Sequence, residues 1–144
     1  MIALGCDLAG IELMQGIKKY LDTKNIEYTF FGPNNKMEND YPLFAKGVVY
    51  TIFEGKAQSG ILICGTGIGV SVAANRYKGI RAALCHDTFS AKASREHNNA
   101  NILAMGARVI GKGLALDIID IFLNTQFPKE ERHVRRIKML DEQQ

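Results

Sequence analysis

Apolar runs of strand length alternate along this chain with segments in which apolar residues recur at helical spacing. The predicted strands cover residues 1–6, 26–32, 60–64, 81–85 and 101–106. The predicted helices cover residues 11–24, 41–55, 69–77, 87–98, 113–127 and 129–142. In the first helix Leu13, Ile17 and Leu21 are spaced four apart and mark one buried face. Asp40 and Asp87 are the predicted caps of two other helices.

Strand–helix alternation with short connections predicts a parallel sheet that helices cover on both faces. We therefore expect an α/β, doubly wound fold of the Rossmann or flavodoxin-like kind. It would comprise a five-stranded parallel sheet in a single domain over residues 1–144, plus a C-terminal helix. Fold analogy predicts the strand order 2-1-3-4-5, with ligands bound outside the carboxyl ends of the strands. Those ends fall at Cys6–Asp7, Cys64–Gly69, Cys85–Asp87 and Gly106–Arg108.

The stretch ILICGTGIGV places Cys64 at one of these strand ends and follows it with Gly65, Gly67 and Gly69. Glycines let the backbone bend sharply and let a ligand approach it closely. The helix that follows would point free N–H groups at the loop, which suits a phosphate, a carboxylate or an oxyanion. The stretch matches neither a P-loop nor the dinucleotide-binding pattern. An unreactive, buried thiol is the alternative interpretation of Cys64.

Three other groups of polar residues are candidates for a site, and each has a structural alternative. Asp7 ends the first strand and would equally well cap a helix. His97 lies where a helix gives way to a strand, and the helix dipole alone favours a histidine there. Arg132 and Arg136 share a helix face beside His133, which fits either a phosphate clamp or a solvated charged surface.

Composition narrows the class of protein. The net charge of +3 comes from interspersed acids and bases, without the basic stripe that a nucleic-acid binder shows. The chain has neither an apolar run of about 18 residues nor the N-terminal pattern of a signal peptide. The three cysteines have no zinc-type spacing, which predicts reduced thiols, a cytoplasmic location and no metal.

Together these stretches resemble the B-type ribose-5-phosphate isomerases and their sugar-phosphate isomerase relatives, which include the galactose-6-phosphate isomerase subunits. The resemblance runs nearly end to end, and the Cys-Gly-Thr-Gly and Arg-Glu-His-Asn stretches are its most specific parts. Its motifs are GCD at 5–7, DYP at 40–42, GILICGTGIGVSVAAN at 60–75, GIRAAL at 79–84, SREHNNANILAMGARVIG at 94–111 and RHVRRI at 132–137.

The resemblance implies an enzyme that interconverts an aldose phosphate and a ketose phosphate through a cis-enediolate, without a metal or other cofactor. It implies that Cys64 is the general base between C1 and C2 and that Thr66 assists proton transfer at the hydroxyls. It implies that Asp7 and His97 bind and open the furanose ring. The other implied contacts are the amides of Gly65, Gly67 and Gly69 at the enediolate oxygen, Tyr41 and Asn98 at the substrate, and Arg108, Arg132, His133 and Arg136 at its phosphate.

The resemblance also implies a homodimer or homotetramer whose sites lie between two subunits, so that His97 would serve the neighbour's site. Two features depart from the family pattern. Leu8 stands where the family has a histidine, and Glu130 and Glu131 stand where it commonly has two glycines. A leucine cannot donate a hydrogen bond, and acids beside a phosphate clamp weaken it unless they point away. These departures leave the proton-transfer chemistry intact but leave open a different sugar phosphate, for example a six-carbon one.

Two other functions stay open from the sequence. One is a subunit of a heteromeric galactose-6-phosphate isomerase, and the other is a non-catalytic module that binds a sugar phosphate or a nucleotide. The presence of both Cys64 and His97 argues against the binding module, because simple binding does not require a thiol. The intact Cys-Gly-Thr-Gly and His-Asn motifs argue against the heteromeric subunit, since such subunits tend to lose parts of them.

Overall fold

The computed structural model describes residues 1–34 and 39–143. Its strands are β1 (Ile2–Cys6), β2 (Tyr28–Phe31), β3 (Ser59–Cys64), β4 (Ala82–Leu84) and β5 (Ile102–Gly106). Its helices are α1 (Ile11–Thr23), α2 (Tyr41–Phe53), α3 (Ile68–Ala74), α4 (Thr88–Asn98), α5 (Lys112–Asn124) and α6 (Glu131–Glu142). The alternation predicted from the sequence is confirmed, and a short 3-10 helix at Leu8–Gly10, which the sequence did not predict, follows β1.

The strands form one parallel sheet, as predicted, but the predicted strand order is wrong at one side. The observed order is β2-β1-β3-β5-β4, so β5 lies between β3 and β4. Every residue of β5 is buried, whereas β4 is three residues long and partly exposed, which suits an edge position. Because the step from β4 to β5 reverses direction, the right-handed crossover rule places α4 on the opposite face from α3.

Helices cover the two faces of the sheet and enclose two apolar cores. On one face α2 and α3 contribute Val48 and Val70, and on the other α1 and α5 contribute Ile17 and Phe122. Successive residues of β3 alternate between the two cores, because side chains alternate along a strand. Cys64 belongs to the α2 and α3 side. The predicted buried face of α1 is confirmed, since Leu13, Ile17 and Leu21 are all buried.

Among the described residues Asp40 and Asp87 precede α2 and α4, as predicted, but only Asp87 makes a capping hydrogen bond. The Asp87 carboxylate accepts a hydrogen bond from Ser90 N at 2.6 Å and caps α4. Asp40 precedes α2, whose first turn contains Pro42, but within the described residues its carboxylate makes no capping hydrogen bond. Over residues 1–34 and 39–143, no helix has the length and apolar character needed to cross a membrane.

Candidate active site

The glycine loop after β3 wraps tightly around the sulfur of Cys64. Cys64 is 5% exposed, and its Sγ atom accepts a hydrogen bond from the Gly67 amide at 3.1 Å. An N–H group that points at sulfur stabilises negative charge there. Gly67 has a φ of 77°, and a Cβ atom on it would lie 2.7 Å from the Met105 carbonyl carbon. Only glycine fits this position, because both the left-handed backbone and the close contact exclude a side chain.

The end of β5 forms the floor of this loop. Cys64 and Gly106 are partners in the register of β3 and β5. A Cβ atom on Gly106 would lie 2.6 Å from the Thr66 carbonyl carbon, so the two backbones are in direct contact. The Arg108 amide donates to the Gly65 carbonyl at 3.0 Å and joins the two turns. The two strand ends therefore form one platform beneath the loop.

Two predicted substrate contacts, Tyr41 and Arg108, and the predicted catalytic residue Thr66 lie around the same loop. A Cβ atom on Gly69 would lie 2.7 Å from Cζ of Tyr41, so that ring packs directly on the loop backbone. A Cβ atom on Gly65 would lie 3.2 Å from Nη1 of Arg108, which places this guanidinium above the start of the loop. Thr66 is exposed, and its hydroxyl oxygen accepts a hydrogen bond from Ile68 N at 3.2 Å.

Asp7 lies at the same end of the sheet and makes the capping contact that was its structural alternative. Its Oδ1 atom accepts a hydrogen bond from Gly10 N at 3.2 Å at the start of the 3-10 helix. The neighbouring Leu8 is 41% exposed, and its amide donates to Asn39 Oδ1 at 2.7 Å. Asp7 and the exposed Leu8, adjacent in sequence, therefore both lie at the rim of this end.

A second group of predicted residues lies where α4 ends and α6 begins. The rings of His97 and His133 stack with a centroid separation of 4.9 Å and an interplanar angle of 17°. His133 is 7% exposed, whereas Arg132 and Arg136 point to solvent. Burial lowers the pKa of His133 below its ordinary 6.5, Arg132, His97 and Arg136 lower it further, and Glu130 opposes them.

The two groups lie at opposite ends of the sheet within one chain. The carboxyl-end group comprises Asp7, Tyr41, Cys64, Gly65, Thr66, Gly67, Gly69 and Arg108, and the amino-end group comprises His97, Asn98, Arg132, His133 and Arg136. Helix α4 starts beyond the carboxyl end of β4 and runs back, so that it ends just before β5 begins. Cys64 is five residues from Ser59, the first residue of β3. At about 3.3 Å per residue, it lies roughly 16 Å from the amino end of that strand. A single chain therefore does not bring Cys64 and His97 together, nor Arg108 and Arg132.

The two other cysteines, Cys6 and Cys85, are buried thiols at the ends of β1 and β4. Burial, followed by the charge of Asp7, raises the pKa of Cys6 to about 12, and burial raises the pKa of Cys85 as well. All three cysteines are free. Among residues 1–34 and 39–143 no group of three or more His, Cys, Asp and Glu side chains is placed to hold a metal ion.

Sequence reasoning assigned no role to His86, although it lies at a predicted strand end. Its Nε2 atom accepts a hydrogen bond from the Gly106 amide at 2.8 Å, directly beneath the loop. The partner is 20 residues further along the chain, and only the packing of β4 beside β5 brings the two together. No local pattern in the sequence signals this contact.

The chain matches known proteins over nearly its whole length. The profile of the family described as Ribose/Galactose Isomerase matches residues 2–140. A ribose-5-phosphate isomerase B of Escherichia coli is 41% identical over 139 residues, which cover 96% of this chain and 93% of that protein. A D-erythrulose-4-phosphate isomerase of Pectobacterium atrosepticum is 47% identical over 127 residues, which cover 88% of this chain and 84% of that protein.

The fold agrees equally well with a solved structure. A ribose 5-phosphate isomerase from Thermotoga maritima superimposes with a TM-score of 0.94 at 49% identity, over 99% of this chain and 97% of that one. The resemblance inferred from the motifs is thus confirmed by a family profile, by curated relatives and by structure. This chain belongs to the Ribose/Galactose Isomerase family of sugar-phosphate isomerases.

Proposed function

We propose that this protein interconverts ribose 5-phosphate and ribulose 5-phosphate, or a related pentose or hexose phosphate pair, with Cys64 as the general base. The observation that carries the proposal is the contact between Cys64 Sγ and the Gly67 amide at 3.1 Å, inside a loop of bare backbone. To form an enediolate, the site needs a base that removes a proton and, close to it, a hydrogen-bond donor that stabilises the negative charge on oxygen. Here they occur three residues apart in one turn.

Proton transfer is proposed to start at C2 of the open-chain aldose. The Cys64 thiolate takes the C2 proton, and the electron pair left behind forms the C1–C2 double bond while negative charge moves to the C1 oxygen. The loop amides stabilise this charge, and one such donor is typically worth about 3–4 kcal/mol in the transition state. Thr66 moves a proton between the two oxygens, and the thiol returns its proton to C1, which gives the ketose.

Residues of both groups supply the other proposed functions. His97 and Asp7 bind and open the sugar ring, and Asn98 and Tyr41 contact the chain of hydroxyls. Arginines bind phosphate well because the guanidinium fork offers parallel donors to its oxygens. Arg132 and Arg136, together with Arg108, are proposed to bind the phosphate of the substrate.

A complete site then requires two copies of the chain, because one copy separates the two groups. The edge strand β4 ends in Leu84, and Phe89, at 81% exposure, follows it in the first turn of α4. Apolar side chains this exposed favour an interface. A two-fold axis that crosses β4 would place the carboxyl end of one copy beside the amino end of the other. We propose such a homodimer, alone or within a tetramer, with sites at the interface.

The identity of the sugar is decided by an assay of the chain purified alone. The family includes enzymes named for ribose 5-phosphate and for erythrulose 4-phosphate. Leu8 changes the rim of the carboxyl-end group, so the assay must include sugar phosphates of different length. We expect the chain to turn over at least one member of a panel that contains ribose 5-phosphate, erythrulose 4-phosphate and galactose 6-phosphate. Turnover of none of them would favour a heteromeric subunit or a binding module instead.

Replacing the sulfur tests the mechanism. We expect Cys64→Ala to lower kcat by at least about 10²–10⁴-fold, the usual contribution of a positioned base. Cys85→Ala is the matched control, because Cys85 is equally buried, at 3% exposure, and lies outside the proposed site. The measurements are steady-state kinetics and gel filtration of both variants. A Cys64→Ala protein that keeps its turnover would contradict the proposed base.

A further inference from the structure

His86 supplies a hydrogen-bond acceptor at the point where strand β4 stops. The last residue of β4, Leu84, is in register with Ala104, two residues before Gly106. Beyond this point the Gly106 amide donates to His86 Nε2 at 2.8 Å. The ring nitrogen that faces the amide is the acceptor of this hydrogen bond. The side chain thus replaces the main-chain acceptor that a longer strand would have offered.

Gly106 transmits this contact to the glycine loop. A Cβ atom on Gly106 would lie 2.6–2.8 Å from three backbone atoms of Thr66. A Cβ atom on Gly67 would lie 3.0 Å from the Gly106 nitrogen, the same atom that donates to His86. With backbones packed this closely, a shift of Gly106 must move Thr66 and Gly67. The amide that faces the Cys64 sulfur belongs to Gly67, so the loop geometry depends on the end of β5.

We propose that His86 is a positioning residue for the isomerase reaction. It fixes Gly106, and through Gly106 it orients the loop amides toward the oxygen on which negative charge develops. This role rests on the proposed function, because it is the enediolate that the amides are meant to stabilise. Since that charge exists in the transition state and not in the bound sugar, the loss of His86 lowers kcat rather than raising KM.

Two substitutions separate the acceptor from the bulk of the side chain. His86→Leu fills similar space and offers no acceptor, whereas His86→Gln offers a carbonyl oxygen to the same amide. We expect His86→Leu to lower kcat about tenfold or more. A misplacement of catalytic groups by 1 Å can lower the rate by about 10²-fold, so a smaller shift of the loop amides is enough for this effect. KM should stay within about twofold. His86→Gln should recover most of kcat.

A neighbouring variant controls for general destabilisation. Asp87 is next to His86 in sequence and caps α4. Asp87→Ala removes this cap, but neither partner of the hydrogen bond between His86 and Gly106 is changed. We expect its kcat to stay within about twofold of the unaltered protein. If Asp87→Ala and His86→Leu lose kcat equally, the positioning role is refuted.

Hydrogen exchange of the Gly106 amide gives a readout that does not depend on activity. The amide should be protected in the unaltered protein and in His86→Gln, and should exchange faster in His86→Leu. Unchanged protection in His86→Leu would overturn the proposal. An unaltered protein without isomerase activity would overturn the proposed function instead, and the exchange rates would still decide whether His86 holds Gly106.

Discussion

A carboxylate lies inside the cationic cluster proposed for the phosphate of the substrate. Glu130 Oε2 is 3.2 Å from Arg132 Nε and 3.9 Å from His133 Nε2. Arg132 and Glu130 are 61% and 54% exposed, and such a pair contributes about 0–1 kcal/mol. A phosphate dianion carries more charge and offers more acceptors than this carboxylate. In the proposed phosphate site, Glu130 would therefore be a weak internal competitor that the substrate displaces.

Removing the charge of Glu130 should strengthen phosphate binding. We expect Glu130→Gln to lower the dissociation constant for inorganic phosphate up to about fivefold at low salt, an effect equivalent to about 1 kcal/mol. The difference should shrink as salt is added, because both partners are exposed. Isothermal titration calorimetry measures it. Glu131→Gln is the control, since it removes an equal charge one residue away, and equal gains in both variants would show that only net charge matters.

The lowered pKa of His133 gives the fold a pH dependence of definite sign. The unfolded state, with a histidine pKa of about 6.5, binds a proton more readily than the folded state does. The contribution of His133 to the free energy of unfolding is therefore complete above pH 6.5 and decreases as the pH falls below it. We expect urea unfolding at pH 7.5 and 5.5 to show a smaller loss of stability in His133→Asn than in the unaltered protein. Equal losses in both proteins would refute this contribution.

The lowered pKa of His133 also has a consequence for the proposed phosphate site. Because its pKa is lowered below 6.5, the His133 ring is uncharged at neutral pH and adds no positive charge to that of Arg132 and Arg136. A phosphate dianion bound beside the ring favours its protonated form. An NMR titration of the His133 ring should therefore show a higher pKa with inorganic phosphate than without it.

At the scale of the element, the sequence predicts what each strand and helix is, but not which strands are neighbours. The apolar runs give five strands, and the glycines after Cys64 predict the loop on which the proposed chemistry depends. The order of β4 and β5 is not predicted, because the pattern along a strand records its burial and not the identity of its partner. β5 takes the inner position since it is buried throughout, whereas β4 is short and half-exposed.

The error in strand order explains why His86 was missed. In the predicted order 2-1-3-4-5, β4 lies between β3 and β5, and Gly106 would belong to the outer strand. In the observed order β5 pairs with both β3 and β4, so Gly106 contacts the loop on one side and His86 on the other. Cys64, whose role depends on its own strand end and the next few residues, could be predicted from local sequence. His86 depends on packing between separate elements, which local sequence does not record.

At the scale of the whole molecule, the direction of α4 decides how the site can be built. The helix carries His97 and Asn98 away from the end of the sheet where Cys64 lies. The sequence motifs place both groups in one chain, and the family resemblance implies that His97 serves a neighbour's site. The fold gives the physical reason, because one copy keeps the two groups apart. The proposed symmetric pair of chains would resolve this, because a suitably placed two-fold axis would bring each group of one copy to the other group of its partner.

Mixing two inactive variants tests the shared site. Cys64→Ala and His97→Ala homodimers each lack one essential group in every site. In the proposed arrangement Cys64 and His97 of a site come from different chains, so a hybrid dimer would have one site with both substitutions and one site with neither. After subunit exchange at equal amounts, half of the dimers are hybrids with one of two sites intact, so we expect about a quarter of the unaltered activity.

A second mixture decides whether restored activity reflects the arrangement or merely the mixing. Thr66 lies in the same loop as Cys64, so the hybrid of Cys64→Ala with Thr66→Ala has no site in which both residues are present. Its activity should stay at the average of the two parents, while the mixture with His97→Ala recovers. If Cys64 and His97 of the same chain formed a site, neither mixture would recover. Recovery in the first mixture alone can arise only if each substrate is held by two chains.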